Sequence, residues 1–239
     1  MAISSRAVDT QARKARAERI LDVAGALLLR WGYKRVTIED VAAEAGIGKG
    51  TIYLHWTTRE ALFCAVVERE LVAAIEQVLA AIQIDPEAAL LHRFVPLWFV
   101  TVKSRPLVRA AVTAELDVLG KLVKGVDSEI ECRLAATFVE YIGLQREHGA
   151  LRADVPAAEL SYALRAVVRG FFLADVLGSA GGQPPLERRA ELLGSILERA
   201  FLAPRPIPAR VVQHVAPKIV DVFSRVADHF RTELRKAYE

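Results

Sequence analysis

Apolar side chains in this chain recur every three or four residues, and no segment alternates apolar with polar as a half-buried strand must. That periodicity commits the polypeptide to helices and predicts an all-α fold. Glycines, prolines and capping residues then divide it. A first helix is expected over 12–31, with Ile20, Ala24, Leu27, Leu28 and Trp31 as its apolar stripe and Gly32 as its stop. Thr37-x-x-Asp40 reads as a capping box that starts a second helix, carrying Ile38, Val41 and Ala42 inward and ending at Gly46. The turn Gly46-Ile47-Gly48-Lys49 leads to a short third helix over about 50–55. Thr57-x-x-Glu60 reads as a second capping box, opening a long helix with Phe63, Val67, Leu71, Ile75, Val78 and Ile82 in register. Asp85-Pro86, Pro106, Ser128-x-x-Glu131 and Pro156 mark the starts of four more helices, and Gly149 ends the one that begins near Ser128. A ninth is expected over 186–202. After the rigid break "APRPIP" a tenth, over 208–238, places Val212, Val215, Ile219, Val222, Val226 and Phe230 on one face.

With 239 residues, 53% of them hydrophobic, the chain is long enough for one or two domains and too apolar to be mostly disordered. It contains no run of eighteen apolar residues, so no membrane span is expected. The opening "MAISSRAVDTQARKARAER" lacks the apolar stretch of a secretory signal, which predicts a cytoplasmic protein. Cys64 and Cys132 stand apart and read as buried thiols. The net charge of +3 is concentrated: residues 1–60 hold ten Lys/Arg against seven Asp/Glu, and the remainder is balanced. Arg6, Arg13, Lys14, Arg16 and Arg19 face only Asp9 and Glu18, a basic arm suited to a polyanion or simply to solvent.

The segment "AEAGIGKGTIYLHW" (43–56) sets a glycine-rich turn against an aromatic helix. A phosphate-binding P-loop requires Gly five residues before the Gly-Lys pair and Ser or Thr after it. Here those positions are Ala43 and Gly50, and the preceding residues are helical in pattern. Two helices joined by a short glycine-containing turn form instead a helix-turn-helix. Ile52 and Trp56, four apart, read as its inward face.

Residues 37–56, "TIEDVAAEAGIGKGTIYLHW", resemble the DNA-binding segment of the TetR family of transcriptional regulators, with Thr37, Ala45-Gly46, Lys49-Gly50-Thr51-Ile52-Tyr53 and His55-Trp56 in the family's pattern. The likeness extends strongly over 15–70, and "REHGALRADVPAAEL" is similar to the family's lead into its eighth helix. Gly48 departs from it, standing where a serine or threonine cap is common, as does Trp56 in place of phenylalanine. The resemblance implies a helix-turn-helix DNA-binding domain with its basic arm over 1–57 and a helical effector-binding and dimerisation domain over 58–239. The recognition helix of such a unit enters the major groove N-terminus first. Gly48 and Gly50 then allow close backbone approach, and Lys49 meets a phosphate or a guanine edge. Thr51 offers a hydroxyl, or a methyl for thymine. Thr37, Tyr53 and His55 can donate to phosphates, and Arg59 can clamp the flanking backbone.

A pseudo-palindromic operator requires a dimer. The eighth helix carries two apolar stripes, Leu160, Leu164, Val167, Phe171 and Ala163, Ala166, Gly170, Leu173, and the ninth repeats this with Leu192 and Ile196 beside its main face. The resemblance implies a homodimer through helices 156–178 and 186–202. It also implies a small-molecule effector pocket among the fourth to seventh helices. His92, Arg93, Trp98, Phe99, Phe138 and Tyr141 are its candidate lining, with Pro96 freeing the His92 carbonyl. A largely apolar effector that releases a repressor from DNA, in the cytoplasm on the nucleoid, follows from this. The alternatives are a regulator that senses a protein partner and an all-α enzyme with an incidental helix-turn-helix. The sequence offers the latter no nucleophile–base motif, metal-ligand spacing or nucleotide loop, so no catalytic residue, metal or cofactor is expected.

Overall fold

The computed structural model describes residues 2–113, 132–177, 182–203 and 206–237. The described residues are helical throughout apart from turns, with one isolated bridge, Leu151 to Leu202. In chain order the helices are α1 (Ala2–Trp31), α2 (Ile38–Glu44), α3 (Lys49–Tyr53), α4 (Arg59–Ile84), α5 (Leu91–Lys103), α6 (Pro106–Val112), α7 (Cys132–Glu147), α8 (Ala157–Leu177), α9 (Leu186–Phe201) and α10 (Ala209–Lys236), with a 3₁₀ turn (Pro86–Ala89) ahead of α5. The all-α expectation holds.

Several boundaries follow the local signals. Thr37 forms a full capping box: Oγ1 accepts from the Asp40 amide at 3.1 Å, and the Asp40 carboxylate accepts from the Thr37 amide at 2.8 Å. Gly46 ends α2 at φ 64, where any side chain would be strained. Others shift. α1 begins ten residues early, at Ala2, so the basic arm is helix. Thr58, not Thr57, caps α4 by accepting from the Ala61 amide at 3.0 Å, and the Glu60 carboxylate accepts from the Tyr33 hydroxyl. Asp85 caps the 3₁₀ turn, accepting from the Glu87 amide at 3.1 Å, and α5 starts only at Leu91. Trp31 is 40% exposed and leaves the α1 stripe. Ser128-x-x-Glu131 lies outside the described residues.

The contacts group the chain into two compact units. The first holds residues 1–73, 106–131 and 227–239. Its core is Ile20, Leu21, Ala24 and Leu28 of α1, Ile38 and Val41 of α2, Ile52, Phe63 and Leu71. Gly25 lets α1 lie close to α4 and α6: an added methyl would meet Val66 at 3.3 Å and Leu107 at 3.4 Å. Arg69 of α4 pairs with Glu18 (3.1 Å) and Asp22 (2.8 Å) of α1.

The second unit holds residues 74–105 and 132–226. Its centre is α5, along which α9 packs. One aromatic cluster joins Phe94 to Tyr141 (4.7 Å between ring centres) and Phe223 (4.8 Å), with Phe138 5.7 Å from Tyr141. The other joins Phe99 to Phe172 (5.2 Å) and Phe171 (6.2 Å). Pro96 sits inside α5 without breaking it. The His92 carbonyl it frees faces the backbone of Gly194 on α9, where a Cβ would stand 2.9 Å from that oxygen and 3.3 Å from the Pro96 ring.

This close approach makes Gly194 sensitive. Gly194→Ala should destabilise the protein by about 1–3 kcal/mol, because a rigid backbone cannot yield to the methyl. Gly143→Ala in α7, where nothing lies within 4 Å, should instead gain about 0.5–1 kcal/mol from helix propensity. Urea unfolding of both variants checks the pair; equal effects would contradict the packing argument.

Candidate nucleic-acid interface

α3 has five residues, too few to be stable alone. Tertiary contacts therefore set its position. Ile52 is fully buried, and Trp56 just beyond the helix is 5% exposed. At its C-terminal end, Arg13 of α1 donates Nη2 to the Leu54 carbonyl at 3.2 Å. The core residues hold one side of α3 inward and leave Lys49, Gly50 and Tyr53 outside.

The outward side carries Lys49, Gly50, the half-buried Thr51 and Tyr53, with Gly48 as N-cap. A Cβ on Gly50 would find open space, and one on Gly48 only the Thr51 hydroxyl at 4.0 Å. These glycines serve no internal packing, so the room beside them is available to an outside molecule. The Gly48 N-cap has no side-chain bond, which leaves the amides at the start of α3 unsatisfied from within. Lys49 is paired with Glu39 of α2 and lies 5.9 Å from the Tyr53 ring centre. That carboxylate draws the Lys49 pKa up and is itself held below its ordinary range. Glu39 is absent from the expected set, because only the fold brings residue 39 against residue 49.

Three expected residues have other roles. His55 is buried rather than presented to phosphate: its Nδ1 lies 2.7 Å from the Ala237 carbonyl. Arg59 does not face outward either. It donates Nε to the Val36 carbonyl at 2.9 Å and Nη2 to the Tyr33 carbonyl, with its guanidinium 3.8 Å over the Tyr33 ring. The Tyr33 hydroxyl in turn donates to Glu60 at 2.7 Å, and burial with that bond raises its pKa to about 12. Thr37 is exposed, but its hydroxyl hydrogen is donated to Asp40 at 2.6 Å, so it reaches no phosphate without giving up that bond.

The expected effector residues, all within the second unit, do not line one cavity among the described residues, although Phe138 packs on Tyr141. His92 lines a cleft of about 710 Å³ with Leu90, Arg152, Glu198, Ile207 and Val212. Its Nδ1 is buried without a hydrogen-bond partner among the described residues. Arg93 is engaged by Asp85 at 2.6 Å and Glu87 at 3.0 Å. Tyr141 is fully buried and donates to the Ala89 carbonyl at 3.1 Å; Phe99 is fully buried, and Phe138 packs on Tyr141. Trp98 is half-buried and absent from the lining of that cleft. The aromatic spacing reflected core packing more than a lining. No group of three or more His, Cys, Asp or Glu among the described residues is placed to hold a metal.

Burial holds the His55 and His92 imidazoles below their ordinary value of 6.5. The unfolded chain therefore binds more protons than the folded one as pH falls past that value, and stability present above it is lost on acidification. Melting temperature should fall between about pH 7.5 and pH 5, and fall less in a His55→Asn, His92→Asn double variant. An acid limb as steep in that variant would remove these imidazoles as its cause.

Comparison with known proteins agrees with this geometry. Residues 20–66 match the family described as bacterial regulatory proteins, tetR family. The chain is 23% identical over 169 residues to the HTH-type transcriptional regulator EthR of Mycolicibacterium smegmatis, covering 70% of this chain and 77% of that protein. It is 23% identical over 198 residues to the HTH-type transcriptional repressor BepR of Brucella suis, covering 80% and 94%. A crystal structure from Saccharomonospora viridis, described as a transcriptional regulator in complex with choline, shares the fold with a TM-score of 0.57 and 23% identity, over 80% of this chain and 98% of that one. The matched segment contains the whole helix-turn-helix, so residues 20–66 carry the TetR-family DNA-binding pattern in a chain whose relatives are regulators rather than enzymes.

Proposed function

We propose that the chain is a ligand-responsive repressor that binds a pseudo-palindromic operator as a homodimer and is released by a small, largely apolar effector. The observation that carries the DNA half is the outward side of α3. Lys49, Thr51 and Tyr53 surround two glycines beside which no protein atom packs closely, over a core sealed by Ile52 and Trp56. In this reading residues 1–57 read DNA, and 58–239 sense and dimerise, with residues 58–73 and those from Ala227 onward grouped with the first unit and so supporting the DNA-reading helices. The repressor sign draws on the likeness to BepR. The effector half draws on the cleft at His92, where Leu90, Ile207 and Val212 offer apolar surface beside the charged Arg152, Asp154 and Glu198, and on the small molecule held by the Saccharomonospora structure. Among the described residues no helix is long and apolar enough to cross a membrane.

Lys49 is the test of the DNA half. In the free protein Glu39 neutralises it, so it contributes to phosphate binding only by leaving that partner. Lys49→Ala should weaken binding and lower the slope of log affinity against log salt by about two per dimer, as for loss of one phosphate contact from each protomer. Glu39→Gln should act oppositely and strengthen binding to random-sequence DNA. Fluorescence anisotropy on DNA flanking the gene, with random competitor, measures both. Unchanged slopes in both variants, or no sequence preference in the wild type, would sink the operator reading.

The dimer reading rests on two adjacent stripes. On α8, Ala163, Ala166, Gly170 and Leu173 are exposed; on α9, Leu192 and Ile196 are 37% and 41% exposed, on the side away from Gly194, which meets α5. α8 and α9 pack on each other, so the stripes belong to one helix pair. Small residues permit close helix approach, and large apolar ones add buried area. A Leu192→Glu, Ile196→Glu variant should sediment as a monomer where the wild type sediments as a dimer. Identical masses would mean the dimer lies elsewhere.

A further inference from the structure

α10 divides its burial between the two units. Its residues up to Val226 belong to the second, and those from Ala227 onward belong with α1, α2 and α3. Ala227 and Phe230 are almost fully buried, and Leu234 and Ala237 are 6% exposed. The last turns of α10 are thus part of the core of the DNA-reading unit.

The end of α10 meets the end of α3. Carbonyls at a helix C-terminus have no amide partner from a following turn and carry the negative end of the helix dipole. Two such carbonyls are satisfied here by side chains at neighbouring points. Leu54, the C-cap of α3, receives Arg13. Ala237, just past α10, receives His55 across a separation of 182 residues. A carbonyl only accepts, so His55 carries its hydrogen on Nδ1 and donates. The His55 ring lies 5.4 Å from that of the buried Trp56, tilted 37° to it. Removing Ala237 or the imidazole leaves a buried group unmatched at the point where the chain leaves α3 for α4.

We propose that the last turn of α10, Leu234–Ala237, is a positioning element for α3, acting through the His55 Nδ1–H to Ala237 carbonyl bond to set the presentation of Lys49, Thr51 and Tyr53 to DNA. The inference rests on the operator-binding reading for its functional consequence, while the anchoring itself stands on the contacts above.

The test uses the full chain, a His55→Leu variant, a His55→Asn variant whose amide keeps a donor near the Nδ1 position, and a chain ending at Glu233. Hydrogen exchange by mass spectrometry follows residues 49–56 against α5 and α9. Affinity is read on a duplex that the wild type selects from a random pool. In His55→Leu and the shortened chain, residues 49–56 should exchange about tenfold faster and the duplex should bind about tenfold more weakly, as expected for one lost buried hydrogen bond. α5 and α9 should be unchanged, and His55→Asn should stay near wild type. Wild-type protection of 49–56 in His55→Leu overturns the proposal. So does a uniform rise across α3, α5 and α9, which would mark a merely structural role. If the shortened chain does not fold, the two His55 variants decide. If the wild type selects no duplex, the operator reading fails, and the exchange of 49–56 still decides whether the anchor exists.

Discussion

Arg59 closes the frame on which the helix-turn-helix is built. Its guanidinium satisfies two carbonyls of the turn between α1 and α2, those of Tyr33 and Val36, and lies flat on the Tyr33 ring. Tyr33 is buried, packs edge-on against Phe63 of α4 at 5.7 Å, and donates its hydroxyl to Glu60. One cation, one ring and one carboxylate thus tie the entry of α2 to the first turn of α4. A lysine could not replace this arginine, since only a planar fork reaches two carbonyls while stacking on an aromatic face. α2 and α3 lie between these fixed points, and a helix as short as α3 inherits its place from them.

The same economy shapes the outer surface. The excess positive charge of the chain is small and lies in its first sixty residues. At α3 the one lysine is partnered by Glu39 and leans toward Tyr53. An exposed pair of this kind is weak and easily exchanged for a phosphate. If α3 reads DNA as proposed, this pair would lower the attraction for arbitrary DNA without blocking a well-placed contact, favouring selectivity over raw affinity.

Much of the fold was legible because helical signals are local. The stripe Phe63 to Ile82 on α4 and the stripe Val212 to Phe230 on α10 are buried as their spacing required, and the Thr37–Asp40 box forms with both bonds. The inward placing of Ile52 and Trp56 was legible for the same reason. The errors arose where a distant partner decided. His55 was read as a phosphate donor because residue 237 is invisible from residue 55. Arg59 was read as a clamp on DNA because nothing near it in sequence shows that it turns back on Val36 and Tyr33. Thr58 caps α4 in place of Thr57, and Glu60 accepts from Tyr33, a partner distant in sequence. Phe99 and Tyr141 stand in one candidate lining by sequence, yet they fall in two separate clusters, Tyr141 with Phe94 and Phe138, and Phe99 with Phe172.

Pro96 shows how a local defect becomes a tertiary contact. Lacking an amide, it leaves the His92 carbonyl without its helical donor, and α9 brings Gly194 against that oxygen. The contact is backbone to backbone, so neither helix can slide by a side-chain adjustment. His92 also borders the cleft proposed for the effector, and the opposite side of α9 carries Leu192 and Ile196, the residues proposed to meet the second subunit. Within this unit, then, a ligand that displaces the first turn of α5 must either carry α9 with it or break the Gly194 contact. Close packing makes the first course the cheaper, because opening a gap forfeits contacts along the whole α5–α9 seam, whereas a joint shift forfeits none of them. The glycine and the proline together thus couple α5, beside the cleft proposed for the effector, to α9, which carries the residues proposed for the dimer face.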